Sequence, residues 1–501
     1  MKIKETFSKT SLENFSEKSL IFILLFLCVT FRFIMLKHTC GINNDGIGYI
    51  YIAQKIWEGN LKEMFSCGGF CLGVIYSSTI TAFYFFLKNW ELSGNLTSIF
   101  YSSLIVFPLF KILRQIFSKS YAFLLSLIAL NLPYIIKQSV DIIRDTAYWF
   151  FLLLGIYFFL NWFSTSTKYP KFYFLASVFS FLLAGLNRVE GFFVGFFSFV
   201  LFLYKQRGWK KDLQYFFAGL LILFLGIAII FIFFPSTYEY LRHKSSFNIY
   251  LNNYEYYYNE LTKLYLSTDR FFWIYFRMLL PYIPFFISLL FIVKVYNLLF
   301  PFLIYGIHTY SKRSFQFLST KYFFALFGGY FLLLILWSYS YAYLSKRYFV
   351  PLIFIGLPLV GLGIKNFIER QFFYFIKFLI FFLITVILII SILSTIFSTR
   401  REDELIYKKI ASVINKMENQ HRNPIIIAGN NKKINFYVNL ERKPAICALN
   451  IISPQKFFNK CNADYLILSK EEQKIYRKKL NISKIKKVTE IDGWGIFKCQ
   501  K

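Results

Sequence analysis

Acidic side chains are scarce in this chain. Only 26 Asp and Glu stand among 501 residues, against 57 Lys and Arg, and His occurs four times. The long apolar runs are nearly free of acids. A transporter or flippase is expected to carry ionisable groups midway through its spans and to interrupt its helices, so the pattern weighs against that class. No internal repeat of the transporter kind is visible either. The first apolar run, Leu20 to Leu36, has no small-residue cleavage site after it and continues into Lys37, His38, Thr39 and Cys40, so a retained span is expected rather than a leader. Cysteine is sparse as well: Cys28 in the first run, Cys40, Cys67 and Cys71 around the first loop, and Cys447, Cys461 and Cys499 in the tail. Each cluster permits at most one disulfide and leaves an odd thiol. Cys67-x-x-x-Cys71 has no His or carboxylate pattern beside it, which argues against a metal site there.

What fills the chain instead is apolar. It is 57% hydrophobic, with a mean hydropathy of +0.50, as expected of a protein that crosses a membrane many times. Apolar runs of about 18 residues or more can each span a hydrocarbon core of about 30 Å as helix, and they lack the alternation of a membrane barrel. About eleven spans are expected, near 20–37, 96–113, 121–136, 147–163, 172–186, 191–204, 214–234, 283–305, 322–338, 349–364 and 372–397. The net charge of +31 would suit nucleic acid if it were clustered, but Lys and Arg are spread over short loops and the tail, and no nucleic-acid partner is expected. Lys111/Arg114/Lys119, Lys168/Lys171, Lys205/Arg207/Lys210/Lys211, Lys312/Arg313/Lys321 and Lys365/Arg370 fall in alternate loops, which places those loops and the N-terminus in the cytoplasm and the tail outside.

Residues 49–57 put Tyr49, Ile52, Ala53 and Ile56 on one helical face, the pattern of a helix lying in the membrane interface. The stretch 70–88 reads as another interfacial or a re-entrant element, because a full span there would reverse every later loop. The stretch 268–282 poses the same choice, with Arg270 and Arg277 favouring an interfacial helix. A Tyr- and Asn-rich external loop is expected over 235–269. Beyond about residue 400 the composition changes. Strands are expected at 424–429, 434–438 and 465–468 and helices at 404–418 and 471–480, forming a small α/β unit. The fold class is therefore an all-α polytopic membrane protein with a small C-terminal extracytoplasmic α/β domain, divided into a cytoplasmic segment 1–19, a transmembrane region 20–398 and a soluble region 399–501.

Four external patches hold ionisable groups beside apolar runs. Asp45, the only acid between Glu17 and Glu58, lies just past the first span with Tyr49 after it. Asp141-Ile-Ile-Arg144-Asp145 precedes the run that begins near Thr146. Asn187-Arg188-Val189-Glu190-Gly191 forms a short hairpin between two runs, and Ser345-Lys346-Arg347-Tyr348 leads into another. Taken singly, each has an ordinary explanation: an Asn-Asp-Gly turn, local ion pairs, or basic side chains reaching for headgroups. Gathered on one face, they suit a phosphate-linked lipid, since Arg offers a planar fork to phosphate and a carboxylate can take a proton from a hydroxyl.

At these residues the chain resembles the GT-C glycosyltransferases, the polyprenyl-phosphate-sugar-dependent enzymes that include protein O-mannosyltransferases and lipid A aminoarabinose transferases. Asp45-Gly-Ile-Gly-Tyr49 through Ala53-Gln54 to Gly59 resembles their first external loop, and Arg144-Asp145-Thr-Ala-Tyr148-Trp their second acidic patch. Leu186-Asn-Arg188-Val-Glu190-Gly191 and Arg347-Tyr348-Phe-Val-Pro351 resemble their Arg-x-Glu-Gly and Arg-Tyr-x-x-Pro signatures. Two features depart from the family: Gly46 stands where a second acid is common, and only Gly68-Gly69-Phe70-Cys71-Leu72 stands where a Pro-rich element is expected.

The resemblance implies transfer of a sugar from a polyprenyl-phosphate donor to a hydroxyl on a lipid, glycan or protein acceptor, with inversion, at the outer face of the cytoplasmic membrane. Asp45 would be the general base. Arg188 and Arg347, with Lys346, would stabilise the leaving phosphate. Asp145, placed with Asp45 among the catalytic groups, and Glu190 would position the acceptor or the arginines, with Tyr49, Arg144 and Tyr348 also positioning substrate. No cofactor is required, although a divalent metal could assist the leaving group. An O-antigen-type polymerase or ligase, which also has many spans and a large external loop, is the second enzymatic reading, and a flippase of lipid-linked sugars the non-enzymatic one. The topology has a direct test: an impermeant thiol reagent should label Cys447 and Cys461 in intact cells, and their protection until lysis would reverse the assignment.

Overall fold

The computed structural model describes residues 11–38, 41–60, 73–163, 169–203, 282–312, 318–341, 345–370, 402–417, 427–428, 432–439, 464–476 and 485–499, with isolated residues at 219, 221, 386, 389 and 393. The expected spans at 214–234 and 372–397, the loop 235–269, nearly all of the 268–282 stretch, the Gly68–Leu72 segment and the cysteines at 40, 67, 71, 447 and 461 lie outside these residues, as does the side chain of Cys499.

Six helices are long and apolar enough to cross a membrane, and each matches an expected span: Glu17–Lys37, Trp90–Arg114, Asp145–Phe163, Pro170–Asn187, Lys321–Ser338 and Lys346–Ile368. They belong to α1 (Glu17–His38), the joined α4 (Trp90–Leu104) and α5 (Val106–Arg114), α8 (Asp145–Phe163), α9 (Pro170–Asn187), α13 (Leu318–Tyr341) and α14 (Val350–Arg370). Phe172, Leu175 and Phe179 on α9 and Phe22 and Phe26 on α1 are exposed at helical spacing, as lipid-facing stripes should be. By contrast α14 is enclosed along nearly its whole length.

Two expected single spans are bent. The 121–136 run divides into α6 (Lys119–Leu130) and α7 (Pro133–Val140), set 61° apart. Pro133 supplies no backbone N–H and holds Leu132 in an extended conformation, so the helix stops and restarts. The 283–305 run divides into α11 (Ile283–Tyr296) and α12 (Phe300–Lys312), at 107°. Asn297 at the break has a positive φ of 48°, and Pro301 suits a fresh helix start. The expected span at 191–204 is the 14-residue α10 (Glu190–Leu203).

The first break is plugged by Arg32, a charge inside α1 that the sequence reading passed over. It is fully buried, donating to Ser102 Oγ on α4 at 2.9 Å, to the Cys28 carbonyl at 2.9 Å and to the Leu130 carbonyl at 3.3 Å, at the end of α6. A helix end leaves carbonyls without intrahelical partners, and the guanidinium supplies donors to them. At the other end of α1, Glu17 pairs with Lys111 at 2.5 Å and with Arg114 at 3.0 Å, while Glu13 accepts from the Ser120 N–H at 3.0 Å. One basic expected loop and the chain start thus share one end of the bundle.

The expected interfacial helix is α2 (Asn44–Trp57), but it does not lie open to lipid. Gly46 through Lys55 are buried without a gap, between α3 (Val74–Leu87) and the C-terminal region. In the C-terminal region, α15 (Glu402–Met417) matches expectation, whereas the expected strand at 434–438 is helix, α16 (Lys432–Asn439). Ile434, Phe436, Tyr437 and Val438 are all buried, so burial on nearly every side disguised helical spacing as a strand run. The second expected helix is the short α17 (Lys470–Ile475), opened by a capping box at Ser469 and Glu472. The sheet has the order β1 (Ile427–Ala428), β2 (Tyr465–Leu468), β4 (Trp494–Cys499), β3 (Ile485–Ile491); β1 pairs parallel to β2 and the rest antiparallel. The β3–β4 hairpin, absent from the sequence reading, turns on Asp492-Gly493, both at positive φ.

Helices α12 and α14 cross almost backbone to backbone. A Cβ on Gly306 would stand 2.0 Å from the Leu359 carbonyl oxygen, and one on Gly363 1.9 Å from that of Phe302. Small residues at such crossings let membrane helices approach closely. Gly363→Leu should therefore lower the thermal unfolding midpoint of the purified protein in detergent, by the equivalent of about 1–3 kcal/mol of overpacking.

Candidate active site

The four sequence patches meet at one end of the helical bundle. Helix α8 starts there with Asp145, α9 returns to it, and the two residues Arg188 and Val189 turn the chain into α10, which starts with Glu190. The short 3-10 turn Lys346–Phe349 opens α14 at the same place. Asp45 lies in the first turn of α2, whose N-cap Asn43 accepts from the Gly46 N–H. Asp45, Asp145 and Glu190 thus all occupy first turns of helices. There the exposed N–H groups and the helix dipole favour negative charge.

Arg188 binds two of these carboxylates. Its Nη1 donates to Asp145 Oδ1, its Nη2 to Glu190 Oε1 at 2.6 Å and its Nε to the same oxygen at 3.0 Å. All three side chains are buried. Burial opposes the charge on Arg188, yet Asp145 and Glu190 together hold its pKa well above the ordinary arginine value. The guanidinium lies over the Tyr348 ring, 4.4 Å from its centroid.

Arg347 pairs through Nη1 with Asp45 Oδ2, joining α2 to the start of α14 across 302 residues of sequence. Its Nε is buried and donates to nothing among the described residues. Both partners remain partly exposed, with side-chain exposures of 26% and 37%, so this pair faces outward where the Arg188 cluster faces inward. Asp145 also lies within electrostatic reach of Arg347 and Arg144, which links the two pairs into one site. Arg144 lies over the Tyr49 ring at 5.8 Å. Burial pushes the Tyr49 hydroxyl up to about 12, so it is neutral at physiological pH. Lys346 is exposed and stands outside these contacts.

Gly46 has a steric explanation. A Cβ there would come within 2.9 Å of Ile142 Cβ and 2.5 Å of Asn43 Oδ1. The backbone of α2 is packed onto the 141–144 segment, leaving no room for a second acid beside Asp45. That segment is fixed from beneath by residues the sequence did not single out. Asn95 donates to the Val140 carbonyl at 2.7 Å, Ser98 to that of Asp141 at 2.6 Å, and Tyr76 shares a 2.6 Å hydrogen bond with Ser98. Small polar residues inside an apolar helix were the available signal, but it does not say what they bind. Among the described residues no three His, Cys, Asp or Glu side chains could hold a metal ion, and each carboxylate of the site is held by an arginine.

No protein-family model and no curated protein sequence matches the chain. Solved structures do. ArnT from Cupriavidus metallidurans bound to undecaprenyl phosphate is similar at a TM-score of 0.57 and 12% identity, over 96% of this chain and 98% of that one. The oligosaccharyltransferase AglB from Archaeoglobus fulgidus, in complex with an inhibitory peptide and a dolichol-phosphate, is similar at a TM-score of 0.53 and 11% identity, over 94% and 71%. The chain has the GT-C glycosyltransferase fold.

With ArnT the likeness extends over nearly the whole of both chains, so it includes the C-terminal region as well as the spans. Within the GT-C fold, the Arg188 cluster ties α8 to the α9–α10 turn, and its buried charges depend on one another. Arg188→Ala would strand two carboxylates and should destabilise the purified protein by about 3–5 kcal/mol, read as a collapse of the thermal midpoint. The triple change Arg188→Met, Asp145→Asn, Glu190→Gln should recover most of that loss.

Proposed function

We propose that this protein is an integral-membrane glycosyltransferase that moves a sugar from a polyprenyl-phosphate donor to a hydroxyl acceptor. The supporting observation is the convergence of Arg144, Arg188 and Arg347 with Asp45, Asp145 and Glu190 from distant segments onto one end of the bundle, on a fold shared with ArnT and AglB. Helix α1 has 22 residues, about 33 Å at 1.5 Å per residue, so it separates this site from the Lys111/Arg114 cluster by about a bilayer core. With the basic end in the cytoplasm, the site opens on the outer face of the cytoplasmic membrane and residues 399–501 form an extracytoplasmic domain beside it.

Asp45 is partly exposed and acts as the general base. It takes the acceptor O–H proton as that oxygen bonds to the anomeric carbon and the bond to the phosphate oxygen breaks with inversion. Arg347, with an unused buried donor and an outward position, is the primary contact for the departing phosphate. Arg188, whose three nitrogens are all taken by carboxylates, contributes its field and orients Asp145, Glu190 and Tyr348. Arg144 and Tyr49 border the acceptor side, and exposed Lys346 attracts the phosphate of the donor lipid. The test is sugar transfer in membranes from labelled polyprenyl-phosphate sugar. Asp45→Asn should slow transfer by about 100-fold or more while the protein remains folded. Undiminished transfer would remove Asp45 as the base.

A further inference from the structure

Asp45 and Arg347 pair with each other, although the proposed reaction needs them on different partners. A guanidinium paired to a carboxylate favours its charged form and so weakens it as a base. An arginine serving the donor must turn its fork to phosphate. Resting on the proposed function, we infer that the Asp45 carboxylate occupies the donor-phosphate position on Arg347, so that phosphate binding displaces it and unmasks the base, imposing donor before acceptor.

Three features of the site carry this. The pair is the outward-facing one of the site, while Arg188 is enclosed and fully engaged, so exchange at Arg347 does not require dismantling the buried cluster. Arg347 Nε has no partner among the described residues, whereas a phosphate can take Nε and an Nη together, which a single carboxylate oxygen on Nη1 does not. Asp45 stays attached to α2, whose start is held by the Asn43 cap and by the Ile42 N–H donating to the Tyr437 hydroxyl at 2.8 Å. The released carboxylate therefore remains at the site.

The charges balance through the cycle. The donor phosphodiester brings one negative charge and Asp45 carries another. After transfer Asp45 is neutral, the acceptor proton on its carboxyl, and polyprenyl phosphate leaves as a dianion. Loss of the Asp45 proton then restores a carboxylate that competes for Arg347 and expels the product.

Undecaprenyl phosphate binding to the full-length protein in detergent tests the exchange. Asp45→Asn removes the competitor and should bind about tenfold more tightly than wild type, as expected for freeing one charge-assisted hydrogen bond. Asp45→Glu, which keeps the carboxylate, should show no gain, and in an Arg347→Ala background Asp45→Asn should make no difference. Equal or weaker binding by Asp45→Asn, beside measurable wild-type binding, would overturn the exchange and leave the donor-site reading standing. So would a gain that persists without Arg347. Binding by neither wild type nor Asp45→Asn, each monodisperse and folded, would overturn both.

Discussion

The site depends on Arg188 being shared between Asp145 and Glu190. Each of these charges would be costly to bury alone, and together their geometry leaves no guanidinium nitrogen unused. The arrangement fixes two helix starts at once, because Asp145 begins α8 and Glu190 begins α10. With those ends pinned, Tyr348 packs against Arg188 and carries the neighbouring Arg347 to the rim, opposite Asp45. The inner cluster is the frame, and the outer pair is what a ligand can reach.

A second buried arginine supports the frame from below. Arg32 would be unexpected inside an apolar helix, but the break between α6 and α7 leaves the Leu130 carbonyl within reach of its guanidinium. The bend it stabilises directs α7 toward Asn95 and Ser98, which hold the 140–141 carbonyls. Four residues later the chain reaches Asp145. The kink, the small polar residues of α4 and the charged site thus form one connected chain of hydrogen bonds and packing.

The spans and the order of the site patches were legible in the sequence because lipid imposes long apolar runs and leaves most charge at their ends. Asp45, Asp145, Arg188 and Arg347 each border such a run. The pairing was not legible: Asp45 with Arg347 crosses 302 positions, and Arg188 could as well have faced outward as inward. Pro133 and Pro301 signalled both bends but were absorbed into continuous hydropathy. Asp492-Gly493 carried a strong hairpin signal that was overlooked, whereas Phe436 to Val438 misled because helix and strand read alike when every side is buried. Gly46 looked like a lost acid, and only the packing of Ile142 explains it.

Three arginines against three carboxylates leave the paired core of the site formally neutral, which by itself would attract no anion. The helix starts change that. All three carboxylates lie in first turns of helices, whose dipoles favour their charge and leave the guanidinium side of each pair in relative excess. The excess is least at Arg188, where two carboxylates share one cation, and greatest at Arg347, where one half-exposed carboxylate faces a guanidinium with a spare donor. An anion entering the site therefore meets its strongest attraction at Arg347. The same near-neutrality keeps that attraction moderate.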